Sequence, residues 1–292
     1  MSRALKEPRP GTRQARQILE RQVHAADKSL SAAKPTDEDV HSSRKSVKKA
    51  RATLRLLRPT LSKRMYRQTN RILRDAARPL GSARDARTLL HTLDSLVADA
   101  TAAPRVDGLR ELLKDERNAA VQTMRRPEGI ARSRRMLQAV RADVTRWDTG
   151  DKGWSVLGKA LRRAYAGGRT ALRTAQAERR DDLLHEWRKQ TQYLWHQLRL
   201  FQGLRPRAIR PAPDRFHQLS DCLGDDHDLA VLRSRVVSNP GVFEDSESAD
   251  CLRGLIERHR AGLQEKAFAL GKSLYKKRPR KFARGYRRYW KD

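Results

Sequence analysis

Apolar residues recur at spacings of three and four along nearly all of the 292 residues, and clusters of Pro, Gly, Ser, Thr and Asp break the pattern into segments. The periodicity predicts an all-α protein. Helices are expected over 12–33, 37–58, 61–78, 83–100, 106–125 and 128–147. A second series is expected over 154–177, 181–202, 213–223, 226–237 and 246–277, with a short basic piece beyond. Between the two series, WDTGDKGW (Trp147 to Trp154) holds two glycines and two aspartates and reads as a linker. It divides the chain into residues 1–148 and 149–292.

The two series repeat one plan. HSSRKSVKKARATLRL, His41 to Leu56, aligns without gaps on HEWRKQTQYLWHQLRL, His185 to Leu200, with matches at His41/His185, Arg44/Arg188, Lys45/Lys189, Leu54/Leu198, Arg55/Arg199 and Leu56/Leu200. Further on, LGSARDARTLL from Leu80 parallels LGDDHDLAVL from Leu223, and RPEGIAR from Arg126 parallels RPRKFAR from Arg278. Three matches in the same order indicate an internal duplication.

A rotation of about 100° per residue gathers His41, Arg44, Lys45, Lys48 and Arg55 into one stripe of their helix. Val40, Val47, Ala50, Leu54, Leu57 and Leu61 fall on a separate face that can be buried. In the second copy, His185, Arg188, Lys189, His196 and Arg199 form the stripe, and Leu184, Trp187, Leu194, Leu198 and Phe201 the apolar side; Trp187 is therefore expected in the core. Arg67, Arg71, Arg74 and Arg78 add one more basic face on the next helix. Like charges at this spacing repel by a few tenths of a kcal/mol per pair, and acidic partners are scarce on these faces, so an anionic ligand is the better explanation. Gly81 and Gly224 read as turns, with Ser82 and Asp225 as N-caps, and with Asp85 and Asp228 in the first helical turn as caps and dipole partners. Arg84 and His227 would point toward a ligand near those helix starts.

Charge extends the argument. The chain carries 65 Lys+Arg against 34 Asp+Glu, a formal net charge of +31, and such a protein seeks polyanions. Hydrophobic residues make up 38%, enough for a core. Cys222 and Cys251 lack a CxxC spacing, so neither a disulfide framework nor a zinc site is indicated, and both are expected as buried thiols. The opening MSRALKEPRPGT contains no signal-peptide core, and no apolar run reaches membrane-spanning length, which suggests a cytoplasmic protein.

The duplicated H-x-x-R-K helix, followed after about forty residues by L-G-x-x-(R/H)-D, resembles the CHAD family, the conserved histidine α-helical domain. The resemblance runs from about Gln14 to Trp290 and includes the terminal KRPRKFARGYRRYW. It implies two similar antiparallel helical bundles related by an approximate two-fold axis, with a basic central groove or pore. It also implies non-catalytic binding of inorganic polyphosphate, often at polyphosphate granules, with no cofactor or metal. The candidate ligand-bearing residues are His41, Arg44, Lys45, Lys48, Arg51, Arg55, Arg67, Arg71, Arg74, Arg78 and Arg84 in the first copy, and His185, Arg188, Lys189, His196, Arg199, His217 and His227 in the second. The copies differ: Gln192, Tyr193 and Trp195 stand where the first has Lys48, Lys49 and Arg51, which draws the ligand toward the first half. His217 at the place of Arg74 and His227 at that of Arg84 are expected to modulate binding by protonation near neutral pH. The runner-up reading is a helical RNA- or DNA-binding protein, although 5% aromatic residues, largely on apolar faces, argue against a stacking platform. A third reading, a metal-dependent phosphohydrolase, rests on DDHD, Asp225 to Asp228, but the first copy has SARD there.

Overall fold

A computed structural model describes residues 11–98, 100, 104–124, 126–203, 206–209 and 211–291, so Arg125, the end of one expected helix, lies outside the described residues. The described chain is helical, without a strand. Helices α1 (Thr12–Lys28), α2 (Asp37–Leu57), α3 (Lys63–Ala77), α4 (Ser82–Ala98), α5 (Asp107–Met124) and α6 (Pro127–Arg146) precede the loop at 147–153. After it come α7 (Trp154–Glu178), α8 (Asp181–Phe201), the single turn α9 (Pro206–Ile209), α10 (Pro211–Ser238), α11 (Ser246–Leu274) and α12 (Pro279–Lys291).

Local chemistry fixes several starts. Thr36 and Asp39 form a reciprocal capping box at α2, Ser62 accepts from the Met65 amide at α3, and Asp245 accepts from the Ser248 amide at α11. The main departure from expectation is α10, which runs unbroken through Gly224 where two helices were expected. Asp225 and Asp228 are therefore interior helix residues and not caps. In α4 the helix begins at Ser82 itself, and the Asp85 amide donates to the Gly81 carbonyl. The terminal basic piece is a full helix, α12.

Two apolar clusters hold the helices together, and each takes residues from both sides of the 147–153 loop. The larger joins α1, α2, α3 and α6 to α7, α8 and α12, with Phe216 and Leu219 from the start of α10 and Ala267 and Phe268 from the end of α11. The smaller is a four-helix assembly in which Leu93 and Leu96 of α4 and Leu109 and Leu113 of α5 pack against Leu232 and Val236 of α10 and Leu252 and Ile256 of α11. The α4–α5 pair of the first half thus buries its apolar face against two long helices of the second. Trp187 is fully buried and stacks on Phe268 at 5.4 Å, as expected of a core residue. Cys222 and Cys251 are free and only half-buried, because each sits at the edge of a cluster.

Candidate functional site

Helices α2 and α8, the two H-x-x-R-K helices, pack directly against each other. Gln197 of α8 donates to the Ala52 carbonyl of α2 at 3.2 Å, and the Arg55 guanidinium lies 3.5 Å from the centre of the Tyr193 ring. This packing brings the front of each stripe toward the other.

Each stripe also grips the L-G-x-x-(R/H)-D segment that follows in its own half. Arg44 donates to the Leu80 carbonyl at 2.9 Å and meets Asp85 at 3.3 Å, with 14% of its side chain exposed. A Cβ on Gly81 would lie 2.6 Å from Arg44 Nη1, so glycine leaves the room the guanidinium occupies. The second half repeats the arrangement: Arg188 lies 3.9 Å from Asp228, and a Cβ on Gly224 would lie 3.4 Å from its Nη2. The motif is therefore a seat for an arginine. The aspartates read from sequence as caps serve as its counter-ions.

The histidines behave alike too. His41 lies in the field of Arg84, while the His185 ring packs at a tilt against that of His227 with centroids 4.4 Å apart. The Nδ1 atoms of His41 and His185 are both buried without a hydrogen-bond partner among the described residues, as is Arg188 Nε. Burial and neighbouring cations lower the pKa of His41 and His185, bring His227 down to about 4, and bring the buried His196 down to about 3. These rings are neutral at neutral pH. The expectation that His227 titrates near neutrality is thus corrected: burial, with the arginines beside it, suppresses its charge.

Burial and neighbouring cations act on Lys48 as well. Its side chain reaches solvent, yet the surrounding protein, followed by Arg44, Arg84 and Arg188, pushes its ammonium down to about 8. Arg44 of α2, Arg84 of α4 and Arg188 of α8 thus act on one lysine, with Asp85 opposing them. Nothing in the sequence pattern distinguished Lys48 from Lys45, which is exposed and lies on the same stripe.

The remaining candidates are spread around this point. Arg51 and Arg55 both donate to Asn70 of α3, at 3.1 and 3.3 Å, and burial lowers the pKa of Arg51 with Arg74 contributing. Arg67, Arg71 and Arg74 lie along α3 and Arg78 caps its end, and Arg67 and Arg71 line an open hollow of about 640 Å³ that includes no residue of α2 or α8. Arg199 lies over Trp195 at 5.6 Å, His217 pairs with Asp221 and meets Trp195 edge-on, and Lys189 pairs with Glu186. DDHD does not gather: Asp226 is buried against Arg260 and Gln264, and Asp228 faces Arg188. Among the described residues no group of three or more His, Cys, Asp or Glu side chains is placed to hold a metal.

A family model described as the CHAD domain matches residues 15–237. The chain belongs to the CHAD domain family. A solved CHAD domain from the plant Ricinus communis has the same fold, with a TM-score of 0.66 at 19% identity over 93% of this chain and 94% of that one. No curated protein matches the chain. The CHAD match ends in the last turn of α10, so the KRPRKFARGYRRYW segment lies beyond it, whereas the structural likeness extends further. Both arginine seats of this CHAD domain fall inside the matched residues. No described helix is long and apolar enough to cross a membrane.

Proposed function

We propose that this CHAD domain binds inorganic polyphosphate, without turning it over, in a basic groove where the H-x-x-R-K helices of two duplicated halves meet. The observation that carries this reading is the packing of the two H-x-x-R-K helices against each other, which puts Lys48 in the field of Arg44, Arg84 and Arg188. Such crowding is unfavourable alone and becomes favourable when an anion enters. The repeated arginine seats support the duplication, since the same arrangement recurs at Arg44–Gly81–Asp85 and Arg188–Gly224–Asp228. Internal phosphates of a polyphosphate chain are tetrahedral and singly charged, with no base to stack, and guanidinium forks donate to them bidentately. Nucleic acid fits less well: the Tyr193 face is covered by Arg55 and so offers no free stacking surface. The reading places the protein in the cytoplasm, at polyphosphate granules.

The test avoids Arg44 and Arg188, whose guanidiniums tie helices together. Lys48→Glu with Arg84→Glu reverses two charges that hold no ion pair among the described residues. Polyphosphate titrations at three salt concentrations should show weaker binding, with a salt slope reduced by about 0.7 for each phosphate no longer neutralised, the single-strand coefficient being carried over. Circular dichroism checks folding. A folded variant with unchanged affinity and salt slope would overturn the assignment.

A further inference from the structure

The two halves treat one seam in opposite ways. In the first, α1 packs on α6 and carboxylates balance the arginines: Arg134 meets Asp27 at 2.9 Å, Arg141 meets Glu20 at 3.6 Å, and Arg16 donates to the Val144 and Thr145 carbonyls. In the second, α7 packs on α12. The acids are gone: α7 carries only Glu178, at its last residue, and α12 carries none. Lys159, Arg162, Arg163 and Arg169 of α7, with Arg278 and Arg280 at the start of α12, line an open hollow of about 590 Å³. Among the described residues none of these six has an ion-pair partner. On the same two helices Tyr165 stacks on Phe282 at 3.9 Å and donates to the Leu274 carbonyl at 2.9 Å, so the cations of α7 and α12 stand on a packed helix pair, with Arg278 just before α12.

We propose that the α7–α12 hollow is a second phosphate-chain site, so that one molecule holds two segments of inorganic polyphosphate at once. The identity of the polyanion rests on the function proposed above; the existence of the site rests on the unbalanced seam. None of the lining residues belongs to α2 or α8, and none is aromatic, so the hollow recognises charge and tetrahedral geometry without reading a base. Two separate sites on one rigid body would let the protein bridge chains or grip a long one with increased avidity.

Calorimetry with a short linear polyphosphate of defined length separates the sites by stoichiometry. The wild type should bind two chains. Arg162→Glu, Arg163→Glu and Arg280→Glu together should remove one and leave the other at unchanged affinity, while Lys48→Glu with Arg84→Glu should remove the complementary one. The neutral set R162Q, R163Q and R280Q guards against misfolding and should weaken the same phase. With long-chain polyphosphate, light scattering from bridged particles should disappear in the seam variants. Seam variants with wild-type stoichiometry and scattering would overturn the second site while leaving the α2–α8 reading intact. Loss of duplex RNA binding in those variants, with polyphosphate stoichiometry unchanged, would overturn it in favour of nucleic acid. No binding of polyphosphate by the wild type would overturn both readings. Loss of all binding in the seam variants, with none lost in Lys48→Glu/Arg84→Glu, would keep the seam as a site and sink the α2–α8 reading.

Discussion

In the first half Arg44 reaches both the Leu80 carbonyl and Asp85, and Lys48 stands open beside it; in the second, Arg188 stays 3.9 Å from Asp228, and Gln192 takes the place of Lys48. Behind Arg188 the second half builds something the first lacks. Arg260, 4% exposed, donates to Asp226 at 3.0 Å and Asp181 at 2.6 Å, while Arg233 ties Asp181 to Glu257. The residue matching Asp181 is Asp37, whose approach to Arg87 is a surface pair at 4.0 Å. Around the two arginine seats the second half commits its charges to holding helices, whereas the first leaves Lys48 exposed.

The largest expected effect breaks that anchor. Arg260→Ala leaves Asp226, 3% exposed, with Gln264 as its remaining partner, and should cost about 3–5 kcal/mol of stability, as removal of one partner from a buried pair does. Arg87→Ala, at the exposed counterpart, should cost under about 1 kcal/mol. Urea denaturation of both variants measures the difference, and similar losses would remove the distinction drawn between the halves.

Next comes the available charge. Lys48→Gln gives the first copy the residue of the second and should weaken polyphosphate binding about 10- to 100-fold, the range expected for a charged hydrogen bond worth about 1.5–3 kcal/mol. Gln192→Lys should strengthen it. A bound polyanion raises the ammonium pKa from about 8, so wild-type affinity should hold below that pH and decline as pH rises through it. Without ligand the sign reverses: the folded value lies below the ordinary 10.5, so the fold takes up fewer protons than the unfolded chain between about 8 and 10.5 and gains stability across that window. Titrations from pH 7 to 10 decide it, because Lys48→Gln should flatten both trends.

A smaller, acid-side difference separates Arg84 from His227. With its folded value near 4 against an ordinary 6.5, His227 binds fewer protons folded than unfolded, so its contribution is present above 6.5 and lost as pH falls toward 4. His227→Gln should flatten the fall in melting temperature between pH 7 and 4.5. Arg84→Gln should leave that slope unchanged. Equal slopes in wild type and His227→Gln would show that burial of this ring carries no acid sensitivity.

The helical segments and the core placement of Trp187 were legible because apolarity follows the helical period. Three things were not. Periodicity identifies a buried face without saying what covers it, so the sharing of both cores across the loop could not be read. Gly224 carries the signature of a break, yet α10 continues through it, with Arg188 of another helix packed at ordinary distance against it. Position on the basic face marks the histidines as ligand-bearing candidates and His227 as a group titrating near neutrality, but burial and the neighbouring arginines suppress the protonation of His41 and His227.

The finest contrast lies in the two glycines. A Cβ at 224 would sit 3.4 Å from Arg188 Nη2, an ordinary approach, and it would replace glycine inside a long helix. Gly224→Ala should therefore stabilise the protein by up to about 1 kcal/mol, the propensity difference, with little change in polyphosphate affinity. At 81 the same methyl would meet Arg44 Nη1 at 2.6 Å and the Arg78 carbonyl at 3.1 Å. The guanidinium must then leave its seat and give up the Leu80 carbonyl and Asp85. Against a charged hydrogen bond, the entropic gain of alanine is the smaller term, so Gly81→Ala should lose on the order of 1–2 kcal/mol. It should also weaken binding, because Arg44 shapes the surroundings of Lys48. Melting curves with and without polyphosphate read both effects, and shifts of the same sign and size at the two glycines would show that the arginine seats are equally tight.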